Sequence, residues 1–330
     1  MSNYPIYQHY VPQFYLKNFS NKKKKEYITT CYDIENNKSY PSNIRKIAEG
    51  KNFYTKNSHK IEEKFNIIET KASKIINNIA KHKKIKYLNN MDNRIDLATF
   101  LALQDIRTNE TRKTFQEQNK KICEYLDKYE LEGDMSKFRE FVDEDNIRLF
   151  HLDFINQDQG KYISLFLLKK WSLIYNKTDT PFLTSDNPLV KFNPNGKIGL
   201  LCDHIHIFFP ITSKLCLCLL DPYNYSNYEK IKEYDTTNEM LNNTTKVSTS
   251  KIKSDEKIDL INRHQIQYAT KHIFSKNNQN DYITNLIDKY SINTTNKNRI
   301  EMKVLKNASN NNDVLFFYNP EDKEYYPFDE

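Results

Sequence analysis

Residues 58–79 read SHKIEEKFNIIETKASKIINNI. Ile61, Phe65, Ile68, Ala72, Ile75, Ile76 and Ile79 recur at steps of three and four residues, the apolar stripe of an amphipathic helix with Ser58 as its candidate N-cap. Downstream, Asp92 is placed to cap a second helix that carries Ile95, Ala98, Leu101 or Ala102, and Ile106 and runs to about Gln118. A third spans Ile122 to Leu131, and a fourth covers residues 135–142. Beyond Gly160 a helix or strand leads to Trp171–Tyr175, and from there the period is that of strands: Phe182–Thr184, Leu189–Phe192, His204–Phe209 and Leu215–Leu220. Upstream, Tyr27–Tyr32 reads as a strand, Asn52–Thr55 as a second short one, and Pro12 precedes a short helix. Helical spacing returns over Ile258–Ser275 and Tyr282–Lys289, and Val314–Tyr318 reads as a last strand. The expected fold is α+β, a helical middle region packed on a mixed or antiparallel sheet from the C-terminal half. One compact unit over residues 1–330 is expected, helix-rich over 56–155 and strand-rich over 160–275, with a C-terminal helix and strand.

A chain of 330 residues is long enough to bury a core without disulfides or a structural metal. Mean hydropathy is −0.81, and no run of about 18 apolar residues offers a membrane span. The start, Met1-Ser2-Asn3-Tyr4-Pro5, has no basic flank followed by an apolar run, so a cytoplasmic location is expected. The five cysteines form no Cys-x-x-Cys pair, which disfavours a disulfide framework or zinc ribbon. The five glycines show neither the dinucleotide fingerprint nor the P-loop spacing, and no Gly-x-Ser-x-Gly elbow is present. Charge is asymmetric: residues 1–125 hold 24 basic and 13 acidic side chains, within a chain whose net charge is +7. Runs such as Lys22–Lys25 and Lys81-His82-Lys83-Lys84 read as solvated surface or as a footprint for a polyanion.

The opening run His9-Tyr10-Val11-Pro12-Gln13-Phe14-Tyr15-Leu16-Lys17-Asn18-Phe19-Ser20 resembles the N-terminal signature of the bacterial domain-of-unknown-function family 4238. Further features follow in that family's order: a helix with Glu62 and Glu69, the Gln104-x-x-Arg107-Thr108 segment, Trp171, and Thr184-Ser185-Asp186-Asn187-Pro188. A weaker match is Asn262-x-x-Gln265 followed by Tyr268-Ala269. The resemblance covers most of the chain and implies an intracellular bacterial protein from scattered, mobile parts of genomes, a defence or toxin setting, and no agreed activity. It supplies a shortlist of polar positions for physical scrutiny.

Glu62 and Glu69 lie two helical turns apart on nearly one face, and Gln104 and Arg107 share a face of the next helix. The plain alternative is an interhelical salt bridge. His9 is a proton-transfer candidate or a hydrogen-bonded structural group, and Gln13, four residues on, is suited to orienting a substrate or a neighbour. Asp186 and Asn187 sit at a strand end before Pro188, as site residues or as an Asx turn. His9, Glu62, Glu69 and Asp186 are the catalytic candidates; Gln13, Gln104, Arg107 and Asn187 are the substrate-binding ones. This set suits a divalent metal ion that activates water and an arginine that holds phosphate. The leading expectation is metal-assisted, nuclease-like hydrolysis of nucleic acid or nucleotide phosphates. The alternative is a non-catalytic module that binds nucleic acid or protein through the basic N-terminal half. His204 and His206 alternate on an expected strand, as polar-face residues or a chelating pair, and Trp171 and the tyrosines read as core rather than base-stacking groups.

Overall fold

A computed structural model describes residues 6–54, 59–129, 139–140, 142–157, 159–202, 204–221, 247–295, 297–306 and 313–320. The chain enters through β1 (Tyr7–His9), a single-turn helix α1 (Gln13–Leu16) and the strands β2 (Asn21–Lys23), β3 (Glu26–Asp33), β4 (Lys38–Asn43) and β5 (Glu49–Lys51). The helical middle follows as α2 (His59–His82), α3 (Met91–Ile106), α4 (Asn109–Lys128), α5 (Glu144–Asn156) and α6 (Gly160–Leu167). Then come β6 (Lys170–Asn176), β7 (Thr184–Ser185), β8 (Val190–Phe192), β9 (His206–Thr212), β10 (Leu215–Leu220) and β11 (Ser248–Ile252). The last elements are α7 (Asp255–Gln267), β12 (His272–Ser275), α8 (Asn280–Lys289), β13 (Glu301–Lys306) and β14 (Asp313–Tyr318).

The α+β reading holds, with a second sheet that the sequence analysis did not anticipate. One sheet, in the order β11-β6-β10-β9-β8, comes from the C-terminal half and is mixed, since β11 runs parallel to β6 while its other pairs are antiparallel. The other five-stranded sheet, β2-β3-β12-β7 with β4 on β3, joins N-terminal strands to late ones, and β1-β5 and β13-β14 form two-stranded ribbons. In the C-terminal sheet Leu173, Ile207, Phe209, Leu215, Leu217 and Leu219 share the main core cluster with α2 and α3. Cys216 and Cys218 turn to the other face, onto Ile258 and Ile261 of α7.

On α2, Ile61, Phe65, Ala72, Ile75, Ile76 and Ile79 are buried and Ile68 is half-buried, so the stripe is the buried face. Each fully buried large side chain contributes about 1.5–3 kcal/mol. Ser58 lies outside the described residues, as do Leu131 and most of 135–142. Helix α3 is capped by Asn90, whose Oδ1 accepts from Asn93 N at 2.9 Å, rather than by Asp92. It stops at Ile106, short of Gln118, because Thr108 turns extended and its hydroxyl accepts from Thr111 N to start α4, which continues through Ile122 to Lys128. Phe53 and Tyr54 follow β5 as a bend rather than forming a strand, because Asn52 adopts φ +49°. The chain switches from helix to strand after Gln267, so Ile273 belongs to β12 instead of a long final helix. No helix among the described residues is long and apolar enough to cross a membrane.

Two histidines buried in this core and a third, half-buried one are neutral bases. Burial pushes His151 and His264 down to about 3 and His272 to about 4. Unfolded, each returns to about 6.5, so between roughly pH 3 and 6.5 the unfolded chain binds protons that the folded chain does not. Stability from these groups is complete above pH 6.5 and is lost as pH falls. Asp186 has the opposite sign, since burial raises it from 3.8 to about 6 and the folded state holds its proton in that window. Near pH 5 unfolding is therefore expected to take up about two protons net from these four groups. The slope of unfolding free energy against pH in urea titrations measures this, and a flat profile from pH 4.5 to 6.5 contradicts it.

Candidate functional site

Arg107, at the C-terminal cap of α3, is fully buried between the rings of Phe65 and Phe100, 5.4 and 5.8 Å from its guanidinium carbon. Its donors are directed inward. Nη1 donates to Glu69 Oε1 at 2.7 Å, and Nε and Nη2 donate to Gln104 Oε1 at 3.0 and 2.7 Å. Gln104 is itself fully buried and passes its amide to the carbonyl of Tyr10 at 3.0 Å. Tyr54 Oη donates to the carbonyls of Arg107 and His9 at 3.4 and 3.5 Å. The run from Glu69 through Arg107 and Gln104 is thus one hydrogen-bonded chain that ties α2 and α3 to the amino-terminal segment.

That segment presents its remaining polar groups to a cleft of about 430 Å³, whose lining includes His9, Gln13, Glu62, Glu69, Asn66 and Ser73. The Ile47 carbonyl, 3.2 Å from His9 Nδ1, can only accept, so it holds the proton there. Nε2 is left with its lone pair, which accepts from Gln13 Nε2 at 3.0 Å. Burial lowers the His9 pKa and keeps the ring neutral, against opposing pulls from the Ile47 and Ala48 backbone and from Glu69. Glu49 places Oε2 3.4 Å from Nε2 because β1 and β5 pair His9 with Glu49. Gly50 permits that ribbon, since a Cβ there would meet Phe53 Cδ2 at 2.9 Å. Across the cleft, burial and the neighbouring Glu69 raise the Glu62 pKa, and Glu62 Oε1 is buried with no hydrogen-bond partner among the described residues.

The structure gathers His9, Gln13, Glu62 and Glu69 at one cleft. Gln104 and Arg107 do not line it, since both are fully buried in the packed α2–α3 layer, and among the described residues it is their partner Glu69 that reaches the cleft. Asp186 is also elsewhere. It is fully buried, and its carboxylate accepts from the backbone N–H groups of Thr270, Lys271 and His272 at 2.7, 2.8 and 3.0 Å, fastening the β7 end to β12. Asn187 lines a different cavity. Asn262 and Gln265 of α7 hold the same loop, with Asn262 Oδ1 accepting from Leu183 N at 2.8 Å and Gln265 Nε2 donating to the Pro188 carbonyl at 2.9 Å.

His204 and His206 do not form a strand-face pair, because His204 adopts φ +62° ahead of β9. Trp171 is buried and donates to the Phe166 carbonyl at 2.9 Å. Glu49 was missed by sequence reasoning, because only the β1–β5 register brings it to His9. The sequence pattern that spans these interlocked segments, from the His9 ribbon to β12, can be compared with known families. The family model described as "Protein of unknown function (DUF4238)" matches residues 7–279. The chain belongs to this family. No curated protein and no solved structure matches it significantly. In this DUF4238 member, Gln104, Arg107, Asp186, Asn262 and Gln265, all within the matched residues, hold backbone and neighbours in place, while His9, Gln13, Glu62 and Glu69 face the cleft.

Removing the buried guanidinium strands the Gln104 carbonyl and frees Glu69. Arg107→Met is expected to destabilise the protein by about 3–5 kcal/mol, as for one partner of a buried ion pair. Glu69→Gln keeps a hydrogen-bond acceptor for Nη1 and is expected to cost about 1–2 kcal/mol by comparison. Urea unfolding of both variants checks the order, and equal losses contradict the arrangement.

Proposed function

We propose that this protein is a metal-assisted hydrolase of a phosphorylated substrate, a nucleotide or nucleic acid, working at the His9–Glu62–Glu69 cleft. The observation that carries the reading is the unpartnered, buried Glu62 oxygen beside a second carboxylate, facing the same cleft as a neutral imidazole whose Nε2 lone pair is held by Gln13. Among the described residues the cleft lining includes no lysine or arginine, so a phosphate would enter this acidic surface accompanied by a cation. Magnesium commonly binds through one or two carboxylates together with substrate phosphates rather than in an all-protein cage. In keeping with that mode, the described residues hold no group of three or more His, Cys, Asp or Glu that could hold a metal ion by themselves.

Bound there, the ion would neutralise phosphate charge and acidify a water molecule. The chain's own residues divide the remaining work. Once water replaces Gln13 as its partner, His9 Nε2 accepts the proton of that attacking water, and Glu49 is placed to stabilise the imidazolium. Gln13 orients that ring or the substrate, and Arg107 holds Glu69 at a fixed angle toward the cleft. An intracellular bacterial setting in defence or toxicity, as the family resemblance implies, suits such an activity.

Turnover of fluorescent RNA and DNA oligomers and of nucleoside triphosphates, with and without magnesium or manganese, tests the reading. Glu62→Gln and His9→Asn are each expected to lower a divalent-dependent rate at least about 100-fold with little change in melting temperature. Because burial lowers the His9 pKa, the acid limb of the rate profile should fall below pH 6.5. Absence of both divalent-dependent turnover and manganese binding by the unaltered protein would sink the proposal.

A second reading keeps support from the exposed runs Lys22–Lys25 and Lys81–Lys84. If the protein only binds a polyanion there, affinity falls steeply with salt and survives Glu62→Gln.

A further inference from the structure

A second cavity, of about 270 Å³, opens between α3, α4, the β8–β9 connection and the segment leading into β13. Ile106, Phe115, Phe154, Leu189, Ile205 and Ile300 supply apolar wall, and the rings of Phe115 and Phe154 meet edge to face at 5.1 Å. The charged groups around it answer one another. Asp105 takes Lys191 Nζ at 2.8 Å and a short hydrogen bond from Tyr162 Oη. Arg299 sets Nε 2.8 Å from Glu110 and Nη1 3.7 Å from Glu117. Lys297 directs its ammonium at the carbonyls of Ile266, Gln267 and Ala269, and its charge favours ionisation of Asp186 against the larger opposing effect of burial. Together with Lys197, the cationic side chains of the lining are set against Asp105, Glu110, Glu117 and Asp186, so the chamber offers a ligand no net charge.

What it offers instead is a pair of idle carboxamides. Asn187 is 8% exposed and Gln118 is half-buried, both line the cavity, and neither side-chain amide makes a hydrogen bond among the described residues. Each carries an acceptor and a donor side by side. Polar groups left without protein partners against an apolar wall favour a ligand that supplies the missing hydrogen bonds. The matching ligand is flat and apolar on its faces and carries a donor next to an acceptor on its edge, the pattern that a carboxamide reads on adenine. The volume lies at the small end of ligand pockets, which begin at about 300 Å³, and suits a single ring system.

We infer that this chamber binds a neutral planar heterocycle of the free-nucleobase class, its faces against Phe115, Leu189 and Ile205 and its polar edge on the Asn187 and Gln118 amides. The site shares no lining residue with the His9 cleft, and the inference does not depend on what that cleft does.

Isothermal titration of the full chain with adenine, thymine, toluene and benzoate tests the inference. Adenine or thymine should bind saturably at one site per chain. Toluene, which has the flat body without the polar edge, and benzoate, which adds a charge, should each bind at least tenfold more weakly than the tighter base. Asn187→Leu and Gln118→Met each keep a side chain of similar size and remove one amide. Either change should weaken base binding at least tenfold with little change in melting temperature, and Asn187→Leu should also tighten toluene binding. If Asn187→Leu does not fold, Gln118→Met decides. Glu62→Gln should leave the affinity for the base unchanged. The inference is overturned if neither base saturates, if toluene or benzoate binds as tightly as the base, if a folded amide variant binds the base like the parent, or if Glu62→Gln abolishes binding and so places the base in the cleft.

Discussion

Burial of the Arg107 guanidinium is the constraint from which the amino-terminal architecture follows. A full charge removed from water is tolerated only when its donors are met at good geometry. Here they are met by one carboxylate from α2 and one amide from α3, with two aromatic rings closing over the faces. Gln104, whose oxygen accepts from Arg107, then has its amide N–H to place, and the Tyr10 carbonyl takes it. Three segments distant in sequence are locked by a single requirement, and a shift of any one leaves a buried polar group unsatisfied.

The lock has a functional side. It consumes one oxygen of Glu69 and leaves the rest of that carboxylate at the cleft, to which β1 separately delivers His9, with Glu49 of β5 beside it. Groups available for chemistry are therefore those the scaffold holds from behind while leaving exposed in front, an arrangement that limits the reorganisation a reaction must drive. Asp186 shows the contrast. Its carboxylate is wholly occupied by three consecutive backbone donors, so a residue that looks catalytic by type serves to fasten a loop.

Much of this was legible in the sequence where a local period carries the information. The stripe from Ile61 to Ile79 identifies α2 and its buried face, and alternation around Leu215–Leu220 places Cys216 and Cys218 together. The seven-residue spacing of Glu62 and Glu69 correctly set both at one cleft. Local pattern carries no information about partners supplied from far along the chain. The burial of Arg107, the meeting of Asp186 with residues 270–272 and the closeness of Glu49 to His9 all depend on tertiary register, so the residue types alone left each with two readings. The break between α3 and α4 was missed for a different reason: Thr108 is a capping residue inside an otherwise helical pattern, and its cap outweighs continuity.

Strand β12, residues His272–Ser275, lies between β3 and β7 and pairs antiparallel with both. A ribosome delivering this chain exposes β3 early, yet the neighbour that completes its pairing is made some 240 residues later. Until then one edge of β3 presents unpaired backbone donors and acceptors, the kind of edge that recruits other chains. Closing so long a separation is also slow relative to forming the helices between. The amino-terminal strands thus reach their final setting only after residues 272–275 have been made, and a chain cut short of β12 leaves the β3 edge open to aggregation.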